Sequence, residues 1–301
     1  MPELPDVVIY IEALRRFVQG HRLERIRVVS PSLLRTYDPP LSAVEGRTVE
    51  GLRRIGKRIV WEMGNELFVV IHLMVAGRLA WAAPGAPVPR KVGLAAFDFD
   101  QGSLVLREAS TKKRVGLWIV YGEDSLGEHD RGGVEPLEVT LDEFSVALLR
   151  ENRTMKRALT DPRIFSGIGN AYSDEILHRA RLSPVKRTGQ LIDEEISRLH
   201  EAVRISLIEW TNRLRAEVGD DFPKKVTAFR PEMAVHGKYG EPCPVCGSRV
   251  QRIVYAANET NYCASCQTNG KLLADRSLSR LLKDDWPKTI EDLEEMGGKP
   301  G

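Results

Sequence analysis

Four cysteines confined to 24 of 301 residues constrain this chain more than any other feature. They are Cys243, Cys246, Cys263 and Cys266, in the pattern C-x2-C, sixteen residues, C-x2-C. Two such knuckles bring four thiolates to the corners of a tetrahedron, which is the arrangement zinc takes in structural sites. The competing reading is a pair of disulfides in a small secreted module. The start Met1-Pro2-Glu3-Leu4-Pro5-Asp6 has no basic flank and no apolar stretch, so it does not read as a secretory signal. A reducing compartment then favours metal over disulfide. With all four ligand positions taken by cysteine, one Zn2+ per chain is expected in a structural role. Arg249 to Tyr262, between the knuckles, reads as a β-hairpin with its tip near Ala256 to Asn258.

The other residues must build their own core. Hydrophobic residues make up 42% and charged residues 29%, which excludes a largely disordered chain. No apolar run reaches the roughly 18 residues of a membrane helix; Leu67 to Leu73 already contains His72. A soluble, cytoplasmic protein with no membrane partner is expected. Net charge is +2, distributed unevenly: from Lys283 onward six acids face three bases, leaving the preceding 282 residues at +5. A mildly basic body permits nucleic-acid binding without requiring it.

Hydrophobic periodicity divides the chain. Residues 5–19 read as a helix with Val7, Val8, Ile11, Leu14 and Val18 on one face and Gly20 beyond its end. From Leu23 to Tyr121 the period is two. Strand-like runs at 59–61, 67–71, 94–99 and 104–106 are punctuated by Gly51, Gly64-Asn65, Gly77, Pro84 to Pro89 and Gln101-Gly102, which predicts an antiparallel sandwich or barrel. Gly122 to Pro136 reads as a linker. Helices follow: a capping box at Thr140 and Glu143, then segments 171–181 and 191–214, the last with Ile196, Leu199, Val203, Leu207 and Trp210 on one stripe.

Three local features carry chemistry. Removal of Met1 would expose the secondary amine of Pro2, whose pKa near 8 leaves a useful neutral fraction. Attack on an aldehyde-level carbon would form a cationic iminium, an electron sink for elimination, and Glu3 next to it would act as general acid or base. Lys57 lies at the start of a strand run, within Arg53-Arg54-Ile55-Gly56-Lys57-Arg58, where four cations could follow a phosphate backbone or simply face solvent. Phe165-Ser166-Gly167-Ile168-Gly169-Asn170 separates two helices, with Asn170 heading the second, where free N–H groups suit a phosphate or an ordinary cap.

Taken in order, Pro-Glu-Leu-Pro, Lys57, His72-Leu73 with Gly77-Arg78-Leu79, the Gly-Ile-Gly-Asn turn and the terminal four-cysteine finger give a chain that resembles the formamidopyrimidine-DNA glycosylase / endonuclease VIII family of base-excision repair enzymes over residues 2–268. The resemblance implies a multidomain α+β protein. Its parts would be an N-terminal catalytic antiparallel β-sandwich with one long helix (1–125), a helix-two-turn-helix domain (126–236), a zinc finger (237–270) and a C-terminal tail (271–301). It implies a monomer acting on double-stranded DNA with a damaged base or abasic site, held in a cleft between the halves. Pro2 would attack C1′ of a flipped nucleotide, Glu3 would protonate the sugar ring oxygen, and Lys57 would hold a phosphate and aid strand cleavage. Lys156 and Asn170 match phosphate-binding positions. Base release followed by β- and δ-elimination would leave a gapped strand. The Pro-Glu-Leu-Pro start points first to an oxidised purine, with an oxidised pyrimidine next.

Three positions depart from the family pattern. The DNA-probing loop reads His72-Leu73-Met74-Val75-Ala76-Gly77, with Val75 in place of the wedge methionine and Met74 beside it. The second probing loop matches Lys113-Arg114-Val115-Gly116, keeping Arg114 but replacing an aromatic residue by Val115. Asn258 stands where the finger carries a phosphate-gripping arginine. A non-catalytic damaged-DNA binder on the same fold is therefore the second reading. An unrelated enzyme using Pro2 as a base would explain neither the cysteines nor the Gly-Ile-Gly-Asn turn.

Overall fold

The computed structural model describes residues 1–255, 258–273 and 287–295. The chain forms two compact units: Met1–Gly132 with Ile208–Ala228, and Gly133–Leu207 with the residues from Phe229 onward.

The first unit begins with α1 (Leu4–Phe17). Val7, Tyr10, Ile11 and Leu14, spaced as one face of a helix, enter the main core, while Val8 stays half-buried. Tyr10 therefore takes the place expected for Val8. Two four-stranded antiparallel sheets follow. One runs in the order β1 (Leu23–Val28), β6 (Gly93–Phe99), β7 (Gly102–Glu108) and β5 (Gly77–Ala82). The other runs β2 (Gly51–Ile55), β3 (Arg58–Glu62), β4 (Leu67–His72) and β8 (Gly116–Tyr121). Alternation assigns the faces: Ile59, Trp61, Val69, Ile71, Leu117 and Ile119 enter the core shared with the other sheet. Val60, Phe68, Val70 and Val120 form a second cluster with Leu126. Leu126 belongs to α2 (Glu123–Gly127), a short helix inside the segment read as a plain linker. Gly51, Gly77 and Gly102, read as punctuation, instead open strands. Lys57, placed in a strand by its sequence, lies with Gly56 (φ 58°) in the two-residue turn between β2 and β3.

The second unit holds α3 (Leu141–Leu149), α4 (Met155–Thr160), α5 (Asn170–Arg179) and the first part of α6 (Asp193–Val218). The capping box of α3 is present: Thr140 Oγ1 accepts from Glu143 N at 3.3 Å, and the Glu143 carboxylate accepts from Thr140 N at 2.9 Å. All five residues of the stripe on α6 are buried. The hairpin comprises β9 (Val250–Tyr255) and β10 (Asn258–Cys263), followed by α7 (Ala264–Thr268). Its tip at 256–257 and the Asn258 side chain lie outside the described residues, as does the tail segment Ser277 to Leu282, read as a short amphipathic helix. Further on, α8 (Ile290–Glu295) packs Ile290 and Leu293 against Tyr262, Ile253 and Leu272 of the hairpin region. Among the described residues no helix is long and apolar enough to cross a membrane.

Candidate functional site

In the first unit Pro2 and Glu3 are both buried at the head of α1. Glu3 is the N-cap, and its backbone N–H donates to the Asp6 carboxylate at 3.0 Å in a reciprocal capping box. Asp6 thus fixes the entry of the chain into the helix. The spacing Glu3-x-x-Asp6 was the available signal, although neither residue is a Ser/Thr or Glu/Gln of the usual box. The amino terminus is lowered mainly by burial, with Glu3 and Asp6 opposing and Arg78 and Lys57 assisting. These groups surround the start of the chain. Burial also pushes the Lys57 ammonium down, against the attraction of the Glu3 carboxylate. Pro2, Glu3 and Lys57 are therefore brought into one electrostatic neighbourhood.

His72 ends β4. Burial, followed by the charges of Arg58, Lys57 and Arg131, pushes its pKa down to about 4, so it is neutral at pH 7. The basic run around Lys57 does not act as one stripe. Arg53 pairs with Glu62 at 3.1 Å and Glu123 at 2.5 Å, and Arg54 donates to the Gly56 carbonyl at 2.6 Å. Those two cations are already engaged.

The loop from Leu73 to Gly77 closes on itself. Gly77 N donates to Leu73 O at 2.8 Å, and Met74 has a left-handed backbone, φ 51°. A side chain at Gly77 would collide with the Leu73 carbonyl and with Val115. Leu73 is buried, Met74 is half-buried, and Val75 stands out at 54% exposure. Of the two apolar candidates, Val75 has the exposed tip.

The second loop is anchored from below. Glu108, fully buried, accepts from Arg114 N at 2.9 Å and Val115 N at 3.2 Å, while its carbonyl accepts from Lys113 Nζ. Arg114 is left exposed and Val115 is 1% exposed inside the core. Val115 is thus a core residue and does not occupy a probing position. Nothing in the sequence pattern singled out Glu108. Glu108→Ala would strand those backbone donors, and hydrogen bonds to charged groups are worth about 1.5–3 kcal/mol each. We expect urea unfolding to show a loss of about 2–3 kcal/mol.

In the second unit Asn170 heads α5 as its first helical residue, and the N-cap is Gly169, so the alternative of an ordinary Asn cap does not hold. Asn170 Nδ2 donates to Glu259 O of β10 at 2.9 Å. Lys156 Nζ donates to Asn170 O at 2.6 Å and to Asp174 Oδ1 at 2.5 Å, and the other Asp174 oxygen faces His236 Nδ1 at 2.7 Å. Lys156 and Asn170 are therefore brought together, with the lysine charge balanced by a buried aspartate. The next residue, Glu175, accepts from the backbone N–H groups of Ala234, Val235 and His236 at 2.8–2.9 Å. The buried acids of α5 tie down the segment that leads into the finger.

The Sγ atoms of Cys243, Cys246, Cys263 and Cys266 all lie within 4.8 Å of one another. Cys243–Cys266 is 4.0 Å and Cys246–Cys263 is 3.4 Å, too far for disulfides. A tetrahedron with metal–sulfur bonds of about 2.3 Å has edges of roughly 3.8 Å. The cluster has the size and donor set of a four-thiolate metal site. His178 Nε2 of α5 lies 3.3 Å from Cys243 Sγ.

Comparison with known proteins agrees with this arrangement. Three family descriptions match in chain order: Formamidopyrimidine-DNA glycosylase N-terminal domain at residues 1–115, Formamidopyrimidine-DNA glycosylase H2TH domain at 133–211, and Zinc finger found in FPG and IleRS at 240–269. The formamidopyrimidine-DNA glycosylase of Symbiobacterium thermophilum is 31% identical over 275 residues, 89% of each chain. This chain belongs to the formamidopyrimidine-DNA glycosylase family. A formamidopyrimidine-DNA glycosylase-like protein of Mycobacterium tuberculosis is 40% identical over 151 residues, 50% of this chain and 94% of that one. A crystal structure of the Lactococcus lactis enzyme, non-covalently bound to DNA with an AP site, superposes with a TM-score of 0.76 at 26% identity, covering 88% of this chain and 99% of that one.

Proposed function

We propose that the chain is a bifunctional DNA glycosylase and abasic-site lyase that excises an oxidised base from double-stranded DNA. The observation that carries the reading is the buried Pro2-Glu3 start of α1 with the Lys57 charge in reach of the Glu3 carboxylate. With Met1 removed, the Pro2 nitrogen lone pair forms a bond to C1′ as the bond from C1′ to the base breaks and the base departs with a proton. Glu3 donates a proton to the sugar ring oxygen, and the ring opens to an iminium. That cation accepts the electrons left when C2′ loses a proton, and the 3′-phosphate departs; a second elimination releases the 5′-phosphate. Flipping the nucleotide costs a few kcal/mol, least for a base already poorly stacked. Val75, apolar and exposed, is the candidate to fill the vacated stack.

In the second unit Lys156 and Asn170 are assigned to backbone phosphate. Their mutual hydrogen bond and the Asp174 partner pre-position the ammonium. The metal of the finger is zinc, held by the four cysteines in a structural role, since no ligand position stays open. An oxidised purine is the first substrate to assay, followed by an oxidised pyrimidine.

The test is borohydride reduction in the presence of abasic-site duplex. A covalent protein–DNA adduct should form, with peptide mapping placing the bond on Pro2. Tight binding of the duplex without an adduct would leave a non-catalytic damaged-DNA binder in its place.

A further inference from the structure

On the outer face of the β2–β3–β4–β8 sheet lies a cavity of about 670 Å³ that the proposed mechanism does not use. Alternation along β3 puts Arg58 on this face, with Val60, away from the main core. Arg131 and His129, from the segment after α2, complete a wall of hydrogen-bond donors. Trp118 of β8 meets the His129 ring edge-on at 5.3 Å.

Two guanidiniums and an imidazole that burial keeps neutral make up this wall. Arg58 Nε is buried with no hydrogen-bond partner. Such a donor is costly to leave unpaired, and a charged one more so. Burial, then the neighbouring Arg131 guanidinium, holds Arg58 below the usual arginine range, with Asp130 opposing. Burial, then Arg58, lowers His129, with Glu128 opposing. Asp38 and Glu128 also line the cavity, yet the Arg58 guanidinium and the His129 ring are both held below their ordinary ranges. Two guanidiniums, one with an orphaned N–H, suit an anion that accepts several hydrogen bonds, and the Trp118 ring suits a planar base beside it.

We propose that this cavity binds a nucleotide phosphate, gripped by Arg58 and Arg131 with His129 as a further donor, and with the attached base against Trp118. The phosphate comes either from the DNA strand, extending the nucleic-acid interface beyond the groups assigned above, or from a free nucleotide. The first source rests on the DNA-binding reading, and the second does not.

The test compares the full-length protein with the double variant Arg58→Gln/Arg131→Gln. Thermal unfolding controls for folding, and His129→Gln serves as a milder second variant. In one arm, thymidine monophosphate is titrated while tryptophan emission is followed, with Trp118→Phe identifying the reporter. In the other, affinity for undamaged duplex is measured against salt. If the strand supplies the phosphate, the double variant lowers the magnitude of the log–log salt slope by about 1, the loss of one neutralised phosphate. If a free nucleotide does, the slope is unchanged and a saturable quench by thymidine monophosphate is lost in the double variant. The proposal is overturned if the folded variants change neither the slope nor the nucleotide response. Failure of the wild-type protein to bind duplex at all would count against the proposed function, and the nucleotide arm would still decide this site.

Discussion

Glu3→Gln is expected to stop base excision while leaving the protein able to form a reducible adduct with DNA that is already abasic. Gln keeps the length of the side chain, and the backbone N–H of residue 3 still donates to Asp6, so the cap of α1 survives. What is lost is the transferable proton. General acid–base groups contribute typically 10²–10⁴-fold, and single-turnover release of an oxidised base should fall by that order. An abasic sugar has no base to expel and opens to its aldehyde spontaneously, so condensation with the Pro2 amine persists. The companion variant carries two extra residues ahead of Pro2. Its proline nitrogen is then an amide whose lone pair is delocalised in a planar bond, and it has no nucleophilicity to offer. Excision and adduct formation should both vanish. The rival nucleophile is Lys57, because burial lowers its ammonium and raises its neutral fraction. If the extended protein still forms an adduct and Lys57→Arg removes it, the catalytic amine is Lys57 and the assignment of Pro2 is wrong.

The sequence revealed the parts whose signals are local. The alternation at 59–61 and 67–71, the stripe on α6 and the Thr140–Glu143 box are written in contiguous spacing, and each appears where the periodicity puts it. The cysteine spacing was equally direct. What stayed hidden depends on residues distant in the chain. Glu108 looks like any strand-end acid until the loop at 113–115 folds back over it. Asp174 and Glu175 look like exposed helix charges, but they are buried because Lys156, His236 and three backbone donors come to them from 18 to 62 residues away. Val115 was hidden in the same way: it stands where the resemblance puts an aromatic residue, and packing makes it core. Glycines at 51, 77 and 102 misled for another reason, since a glycine that allows close cross-strand approach at a strand start has the same spelling as a turn.

Loss of the finger metal should abolish DNA binding while the sandwich stays folded. The cysteine end of the hairpin has a small core: Cys243 and Cys263 are themselves two of its four buried residues, with Val235 and Val250. Metal binding to such modules supplies about 10–16 kcal/mol in zinc-finger peptides, far more than a core of that size. With a metal bound, the Cys243 thiolate would be an acceptor only, and His178 Nε2, 3.3 Å away, would donate to it as an outer partner that steadies the ligand. Cys263→Ser, or chelation of the wild type, removes this framework, and with it the β10 backbone to which Asn170 is tied. The readouts separate by place. Four of the five tryptophans, Trp61, Trp81, Trp118 and Trp210, lie in Met1–Gly132 or Ile208–Ala228 and the fifth is Trp286 of the tail, so in a Trp286→Phe background tryptophan emission should change little. The tail should respond, because Ile290 and Leu293 pack on Tyr262 and Ile253 of the hairpin, and trypsin should then cut after Lys271 and Lys288. Elemental analysis establishes the metal content in each sample. Unchanged duplex affinity after confirmed metal loss would remove the finger from the DNA-binding surface; collapse of the tryptophan signal together with binding would mean that the metal holds both units, and the separation argued from their distinct cores would fail.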